Sequence, residues 1–230
     1  MPNSKEGIVI TTLLRQLTLD DIDEIVRVEG KTWPPDWQAP REKFEARLRK
    51  FPQGCFGIFE DAKLVGVTTS MRSSFDLSNV GSYQKTWDEI TGDGFITTHE
   101  PQGNALYVVS VGVQADAQGK GYGQQLVAAQ VELAKKLGCS LIFLGARLPK
   151  FKEYIETSRG KKFEEISWLD NELAQQAQAY LDLRRDDGQR LDPEIRFYER
   201  CGFAVAKLTN PNFGPDPDSC GFGVIVYKLN

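Results

Sequence analysis

The most chemically pointed stretch of the chain is Gln118-Gly119-Lys120-Gly121-Tyr122-Gly123. It follows a nearly continuous apolar run, Leu106 to Val113, and precedes a helical pattern from about Gly123 to Leu137. A helix start leaves backbone N–H groups without intrahelical partners and carries the positive end of the helix dipole, so it can hold an anion such as phosphate. Glycines let those amides approach an anion with no Cβ in the way, and Lys120 adds a cation. The same residues also suit a plain strand-to-helix turn that needs glycine dihedrals. Two common phosphate loops do not fit. G-x-x-x-x-G-K-[ST] fails because Gln114 stands at the first glycine and Gly121 follows Lys120. G-x-G-x-x-G fails at Gln124. Q-x-x-G-x-G fits, through Gln118, Gly121 and Gly123.

Other groups could move protons. His99 is the single histidine, and its side chain titrates near pH ~6.5 when unperturbed. Glu100, Asp88 and Glu89 lie in the same stretch, where they would suit a cationic amine or serve as loop caps. Trp33 and Trp37 could stack on a substrate or anchor a loop. The four cysteines, at 55, 139, 201 and 220, include no C-x-x-C pair, and with one histidine they do not read as a zinc site or a disulfide framework. No metal is expected.

The elements that must position these groups alternate. Ile8–Leu17 reads as a β-rich run, Asp21–Glu29 as a helix capped by Thr18 or Asp20, and Arg41–Lys50 as a second helix. Cys55–Phe59 and Leu64–Ser70 read as a hairpin around Glu60–Lys63. Leu106–Val113 has the pattern of a strand buried on both faces, and Ser140–Leu144 is another. Asp192-Pro193 opens a short helix through Arg200, ended by Gly202, with strands expected over Phe203–Leu208 and Gly221–Leu229. Residues 73–104 and 148–191 are long connections; the first reads as a loop, and the second carries a helix near 171–184 that could cover a sheet edge, act as a lid or form a dimer surface.

The chain has 230 residues and 40% apolar side chains, enough for a core. Its formal net charge is −4, and a nucleic-acid partner would call for a basic excess, so none is expected. The apolar runs are too short to span a bilayer, and the polar start, MPNSKEG, does not read as a secretory leader. A cytoplasmic protein, not bound to membrane, is the expectation. Helices alternating with strands give an α/β or α+β class around one mixed sheet.

The Q-x-x-G-x-G loop between that strand and that helix, the strand after it, and Phe197-Tyr198-Glu199-Arg200-Cys201-Gly202-Phe203 near the end together resemble the GNAT superfamily of acetyltransferases. Trp87-Asp88-Glu89-Ile90-Thr91-Gly92, Thr97-Thr98-His99, Pro101-x-Gly103, Phe51-Pro52-x-Gly54 and Ala146-Arg147-Leu148-Pro149 resemble more narrowly the GNAT modules joined to nitrilase-type amidohydrolases in some bacterial proteins, here with no hydrolase segment expected. The resemblance implies a single GNAT-like domain over residues 1–230: a mixed, mostly antiparallel sheet flanked by helices, with two enlarged insertions at about 73–104 and 148–191. It implies acetyl-CoA as cosubstrate. Val111 and Val113 would pair with its pantetheine arm, and the backbone around Gln118, Gly119, Lys120, Gly121, Tyr122, Gly123 and Gln124 would hold its pyrophosphate. The implied reaction is direct attack of a small-molecule primary amine on the thioester, with Tyr198 as general acid to the leaving thiolate. Some relatives place a Glu early in the strand before the loop; Tyr107 stands there, so His99 with Glu100, or a water chain, is left as the route for the amine's proton. An Asn common at the start of the last helix is replaced by Leu191-Asp192. The alternative is a non-catalytic acyl-CoA-binding or sensor module; a homodimer is compatible with either.

Overall fold

A computed structural model of the protein describes residues 11–209, 213, 214 and 216–230. The first residues of the expected Ile8–Leu17 run and part of the 210–220 loop lie outside them. Seven strands form one sheet: β1 (Thr12–Gln16), β2 (Cys55–Glu60), β3 (Lys63–Ser73), β4 (Ala105–Val113), β5 (Leu141–Ala146), β6 (Ala204–Leu208) and β7 (Val224–Leu229). Their order is β1-β2-β3-β4-β5-β7-β6. Within it β1/β2, β2/β3, β5/β7 and β6/β7 are antiparallel and β4/β5 is parallel. This is the expected mixed, mostly antiparallel α/β arrangement. The α-helices among the described residues are α1 (Ile22–Thr32), α2 (Arg41–Lys50), α3 (Trp87–Thr91), α4 (Tyr122–Lys136), α5 (Phe151–Arg159), α6 (Glu172–Asp182) and α7 (Pro193–Arg200). The chain divides into two compact units, one of Met1–Ser70 with Ser110–Leu133, the other of Met71–Val109 with Ala134–Asn230.

In the first unit, α1 turns Ile25 and Val28 inward, and they join Leu17, Phe44, Leu48 and Leu64 in one buried cluster. The helix ends at Trp33, which is extended (φ −119°, ψ 148°) because the proline after it disfavours helical backbone. The expected hairpin is tighter than its sequence indicates. Strands run to Glu60 and from Lys63, leaving Asp61 and Ala62 as a two-residue turn, both at positive φ.

In the second unit, Phe75 stacks on Phe143 at 4.0 Å between centroids and Tyr107 meets the same ring edge-on at 5.0 Å. The first insertion is not wholly a loop. It holds α3, opened by a capping box in which the Glu89 carboxylate accepts from Thr86 N at 2.8 Å and Thr86 Oγ1 accepts from Glu89 N at 3.2 Å. Five residues are too few to show a helical period in sequence. The second insertion holds α6 near where it is expected and also α5, whose Phe151 and Ile155 are buried one turn apart. No described helix is long and apolar enough to cross a membrane.

Candidate functional site

In the first unit, the end of β4, the turn after it and the start of α4 form one packed piece. Val111 and Val113 pack against a cluster containing Ile58, Val65, Ala117, Tyr122 and Leu126. Gln114 N donates to Val65 O at 3.0 Å, and Arg27 Nη1 donates to the Gln114 side-chain oxygen at 3.1 Å. Gln118 then folds its amide back, Nε2 donating to Val113 O at 3.0 Å. That bond gives the leading glutamine of the motif a physical role: it closes the turn that aims the following amides.

Gly119 and Gly121 have φ of +78° and +81°, where L side chains are strained. A Cβ on Gly119 would meet nothing within 4 Å, and one on Gly121 only Gln124 Oε1 at 3.8 Å. Their requirement is therefore dihedral, and the face they present is open. The first α4 amide with a backbone acceptor is Gln125 N, 3.2 Å from Gly121 O. The amides of Gly119, Lys120, Gly121, Tyr122, Gly123 and Gln124 have no backbone acceptor among the described residues. Six N–H groups at a helix N-terminus make a cradle for an anion.

The Lys120 charge is less available than its sequence implies. Its Nζ lies 2.8 and 2.9 Å from the two Glu60 carboxylate oxygens, and Tyr122 donates to the same carboxylate at 2.7 Å. Both donors hold the Glu60 carboxyl below its ordinary value, Lys120 first, and Glu60 in turn pushes Lys120 up. Glu60 therefore competes with any anion for Lys120. Glu60→Gln is expected to tighten binding of a CoA ester at low ionic strength, with the advantage over wild type closing as salt is raised; calorimetric titration at two salt concentrations checks it.

The α1–α2 connection lies against the same strand. A Cβ on Gly112 would come within 2.9 Å of Thr32 Cγ2 and 3.4 Å of Trp33 Nε1, so glycine there lets the Trp33 indole sit close to β4.

In the second unit, β4 and β5 pair only at Ala105↔Leu141, Leu106↔Ile142 and Tyr107↔Phe143. β5 continues, fully paired with β7, to Ala146↔Val224. Beyond Tyr107 the β4–β5 ladder stops while both strands run on. The Trp87 indole N–H donates to Val109 O at 3.3 Å just past that point.

Tyr198 lies on α7. Asp192 caps that helix as its sequence indicates, its side chain accepting from Glu194 N at 2.9 Å and Ile195 N at 3.1 Å, with Pro193 at the first position. The Tyr198 ring is buried, edge-on to Phe197 and Phe203 at 5.0 and 5.8 Å. Its hydroxyl has no hydrogen-bond partner among the described residues and is not among the polar atoms sealed from solvent. Burial first, and the neighbouring Glu194 charge second, push the phenol well above its ordinary value. It stays protonated at any working pH and is available only as a proton donor.

Glu194 carries no signal in a linear reading, where an acid in a helix's first turn looks like an ordinary dipole partner. The structure holds it half-buried, with Oε1 accepting Arg147 N at 2.9 Å. The Arg147 guanidinium is itself engaged by Asp216, at 2.6 and 3.2 Å.

The expected proton acceptors have structural employment. His99 Nδ1 accepts the Arg72 amide at 3.1 Å, and Glu100 N donates to Arg72 O at 3.0 Å. The Glu100 carboxylate accepts from the Ser74 hydroxyl. Together they fasten residues 96–104 to the end of β3. His99, Glu100 and Tyr198 all fall in the second unit, while Val111, Val113 and residues 118–124 fall in the first. Tyr107 is fully buried and its phenol pushed far up by desolvation, so it does not replace a basic Glu. No group of three or more metal-ligating side chains is assembled among the described residues.

Comparison with known proteins agrees with the sheet. The model of the acetyltransferase (GNAT) family matches residues 19–152. The uncharacterized N-acetyltransferase YkwB of Bacillus subtilis (strain 168) is 23% identical over 221 residues, covering 94% of this chain and 88% of that one. The probable hydrolase YhcX of the same organism is 28% identical over 204 residues, covering 89% of this chain. The match takes in 36% of YhcX, so the chain spans about a third of that relative's length. Among solved structures, the GphF GNAT-like decarboxylase in complex with isobutyryl-CoA has a TM-score of 0.74 at 20% identity, over 94% of this chain and 98% of that one. With more than half of its length matched by the family model, the chain belongs to the GNAT acetyltransferase family.

Proposed function

We propose that the protein is an acetyl-CoA-dependent N-acetyltransferase that acylates a primary amine of a small molecule. The observation that carries this reading is the run of six amides without a backbone acceptor among the described residues at the N-terminus of α4, held by the Gln118–Val113 bond and left open by two positive-φ glycines. A pyrophosphate needs such donors, and a CoA ester supplies one. The halt of the β4–β5 ladder at Tyr107 supports it further, since an acyl arm that pairs with β4 like an added strand needs strand edge without a protein partner. Backbone N–H groups near Val111–Val113 would polarise the thioester carbonyl, and Tyr198 would protonate the departing thiolate. Bringing amine and thioester together supplies on the order of 7–11 kcal/mol of the barrier when geometry is ideal. Two long insertions favour a small acceptor over a peptide, which needs an open groove. A location in the cytoplasm belongs to the same proposal.

A second reading comes from the decarboxylase neighbour: the same cradle would hold a malonyl-type CoA ester that loses carbon dioxide. Thermal denaturation decides the cradle first. A ligand at 100 times its Kd stabilises by ~2.7 kcal/mol, a rise of roughly 5–10 °C for a domain this size. Acetyl-CoA is expected to give that rise while NAD and ATP do not. Thiol release from acetyl-CoA with an amine panel then identifies a transferase. Carbon dioxide from malonyl-CoA without thiol release identifies the alternative, and a midpoint rise with neither product identifies a binding module.

A further inference from the structure

Glu194 and Tyr198 are four residues apart on α7, the spacing that puts two side chains on one helix face with Cβ atoms about 6 Å apart. One Glu194 oxygen is anchored by the Arg147 amide at 2.9 Å. The other has no partner among the described residues and is not sealed from solvent. A carboxylate with one oxygen fixed and one open, beside the phenol that would serve the leaving group, is placed to receive a proton from whatever reaches that phenol. We propose that Glu194 is the catalytic base that deprotonates the acceptor amine, an inference that rests on the acetyl-transfer reading above.

The charged surroundings suit the task. Arg147, from the segment after β5, attracts the ionised form, while Asp192 at the N-cap of α7 and Asp216 in the loop before β7 oppose it. Desolvation outweighs them all and leaves the carboxyl pushed up to about 7. A base of that strength is about half ionised at neutral pH and strong enough to take a proton from an ammonium during reaction. The protons balance. The ammonium gives its first proton to the Glu194 carboxylate, which later releases it to solvent. The nitrogen lone pair attacks the thioester carbon, the C–N bond forms, and the C–S pair leaves on sulfur. Tyr198 gives its phenolic proton to that thiolate, and the second nitrogen proton restores the phenol. The products are an amide, a free thiol and one released proton.

Two readouts test the assignment. The first needs no turnover: the Arg147 amide 1H–15N signal, followed from pH 4 to 9, is expected to titrate with a midpoint near 7 through its bond to Glu194 and to stay flat in Glu194→Gln. A midpoint near the ordinary Glu value of about 4.3 overturns the proposal. The second is the pH profile of kcat/KM with the fastest acceptor from a panel running from 1,4-diaminobutane to aminoacyl amides. Wild type is expected to rise through pH 7. Glu194→Gln should lose that limb and about 100-fold or more in kcat, Glu194→Asp should keep the limb and part of the rate, and both should keep the acetyl-CoA midpoint rise. An undiminished Glu194→Gln overturns the base and leaves the transferase reading standing. Wild type that releases no thiol with any amine overturns both. If Glu194→Gln fails to fold, the wild-type titration and the Glu194→Asp profile decide.

Discussion

Tyr198→Phe is expected to lower kcat for acetyl transfer by about 100-fold or more while leaving the acetyl-CoA midpoint rise unchanged. The leaving group is a thiolate whose conjugate acid has a pKa of ~8.5, and a phenol at ~10 or above does not protonate it in a separate step. Burial pushes the Tyr198 phenol higher still, so the proposed donation would take place only in concert with C–S cleavage, as charge develops on sulfur. Removing the hydroxyl deletes that donation and little else. The ring stays in its contacts with Phe197 and Phe203, and the hydroxyl has no partner to orphan among the described residues. The variant should therefore fold with a denaturation midpoint close to wild type. Steady-state thiol release and thermal denaturation with acetyl-CoA check the two halves together. An unchanged kcat would leave the thiolate to take its proton from water. A lost midpoint rise would make Tyr198 a binding residue instead.

The glycine loop was legible because its requirements are local. Two positive-φ positions and a helix start write themselves into adjacent residues, and Asp192-Pro193 does the same for α7. Long apolar runs made β4 and β5 readable for the same reason: a strand buried on both faces has no polar alternation to confuse it. The partnerships across the chain were not readable. Glu60 neutralises Lys120 from 60 residues away, and Arg147 anchors Glu194 across 47. His99 stood out by type, as the single histidine, and its structural bond to the Arg72 amide depends on a strand end that sequence spacing does not position. Glu194 was concealed by the opposite effect, since nothing in its type or position distinguishes it until Arg147 and Asp216 close around it. The short α3 and α5 were missed because one or two turns give too few repeats for a period.

Arg47→Ala is expected to destabilise the fold by about 3–5 kcal/mol. Arg47 is 1% exposed on α2, and its guanidinium donates to Thr69 Oγ1 at 3.3 Å. Burial pushes it down to about 10, and the nearby Glu29 charge opposes that shift. Glu29 is pushed up by its own burial, with the Ala39 amide at 2.9 Å and the Arg47 charge holding against it. Each ion thus makes the other's burial tolerable. Removing Arg47 takes away the charge that favours the ionised Glu29 carboxylate and empties a buried site on α2, and a loss of this size takes a large part of a typical total of 5–15 kcal/mol. The denaturation midpoint should fall by roughly 6–20 °C. The pH dependence separates charge from packing. A carboxyl whose folded pKa is raised favours the fold below its unfolded pKa and loses that contribution as pH rises through the folded one. Without Arg47, Glu29 rises further, so the deficit should be larger at pH 8 than at pH 5, and Glu29→Gln should recover part of it at pH 8. An equal deficit at both pH values would assign the loss to packing alone. The effect also reaches function. Thr69 Oγ1 is 2.9 Å from Ser110 Oγ, and Thr68 Oγ1 donates to Ser110 O at 2.9 Å, one residue before Val111. The buried Arg47 guanidinium therefore braces, through Thr69 on β3, the end of β4 along which the proposed acyl arm would lie. An Arg47→Ala protein kept folded at low temperature should bind acetyl-CoA more weakly than wild type, whereas Arg47→Met with Glu29→Gln, which removes both charges and keeps the volume, should recover stability before it recovers affinity.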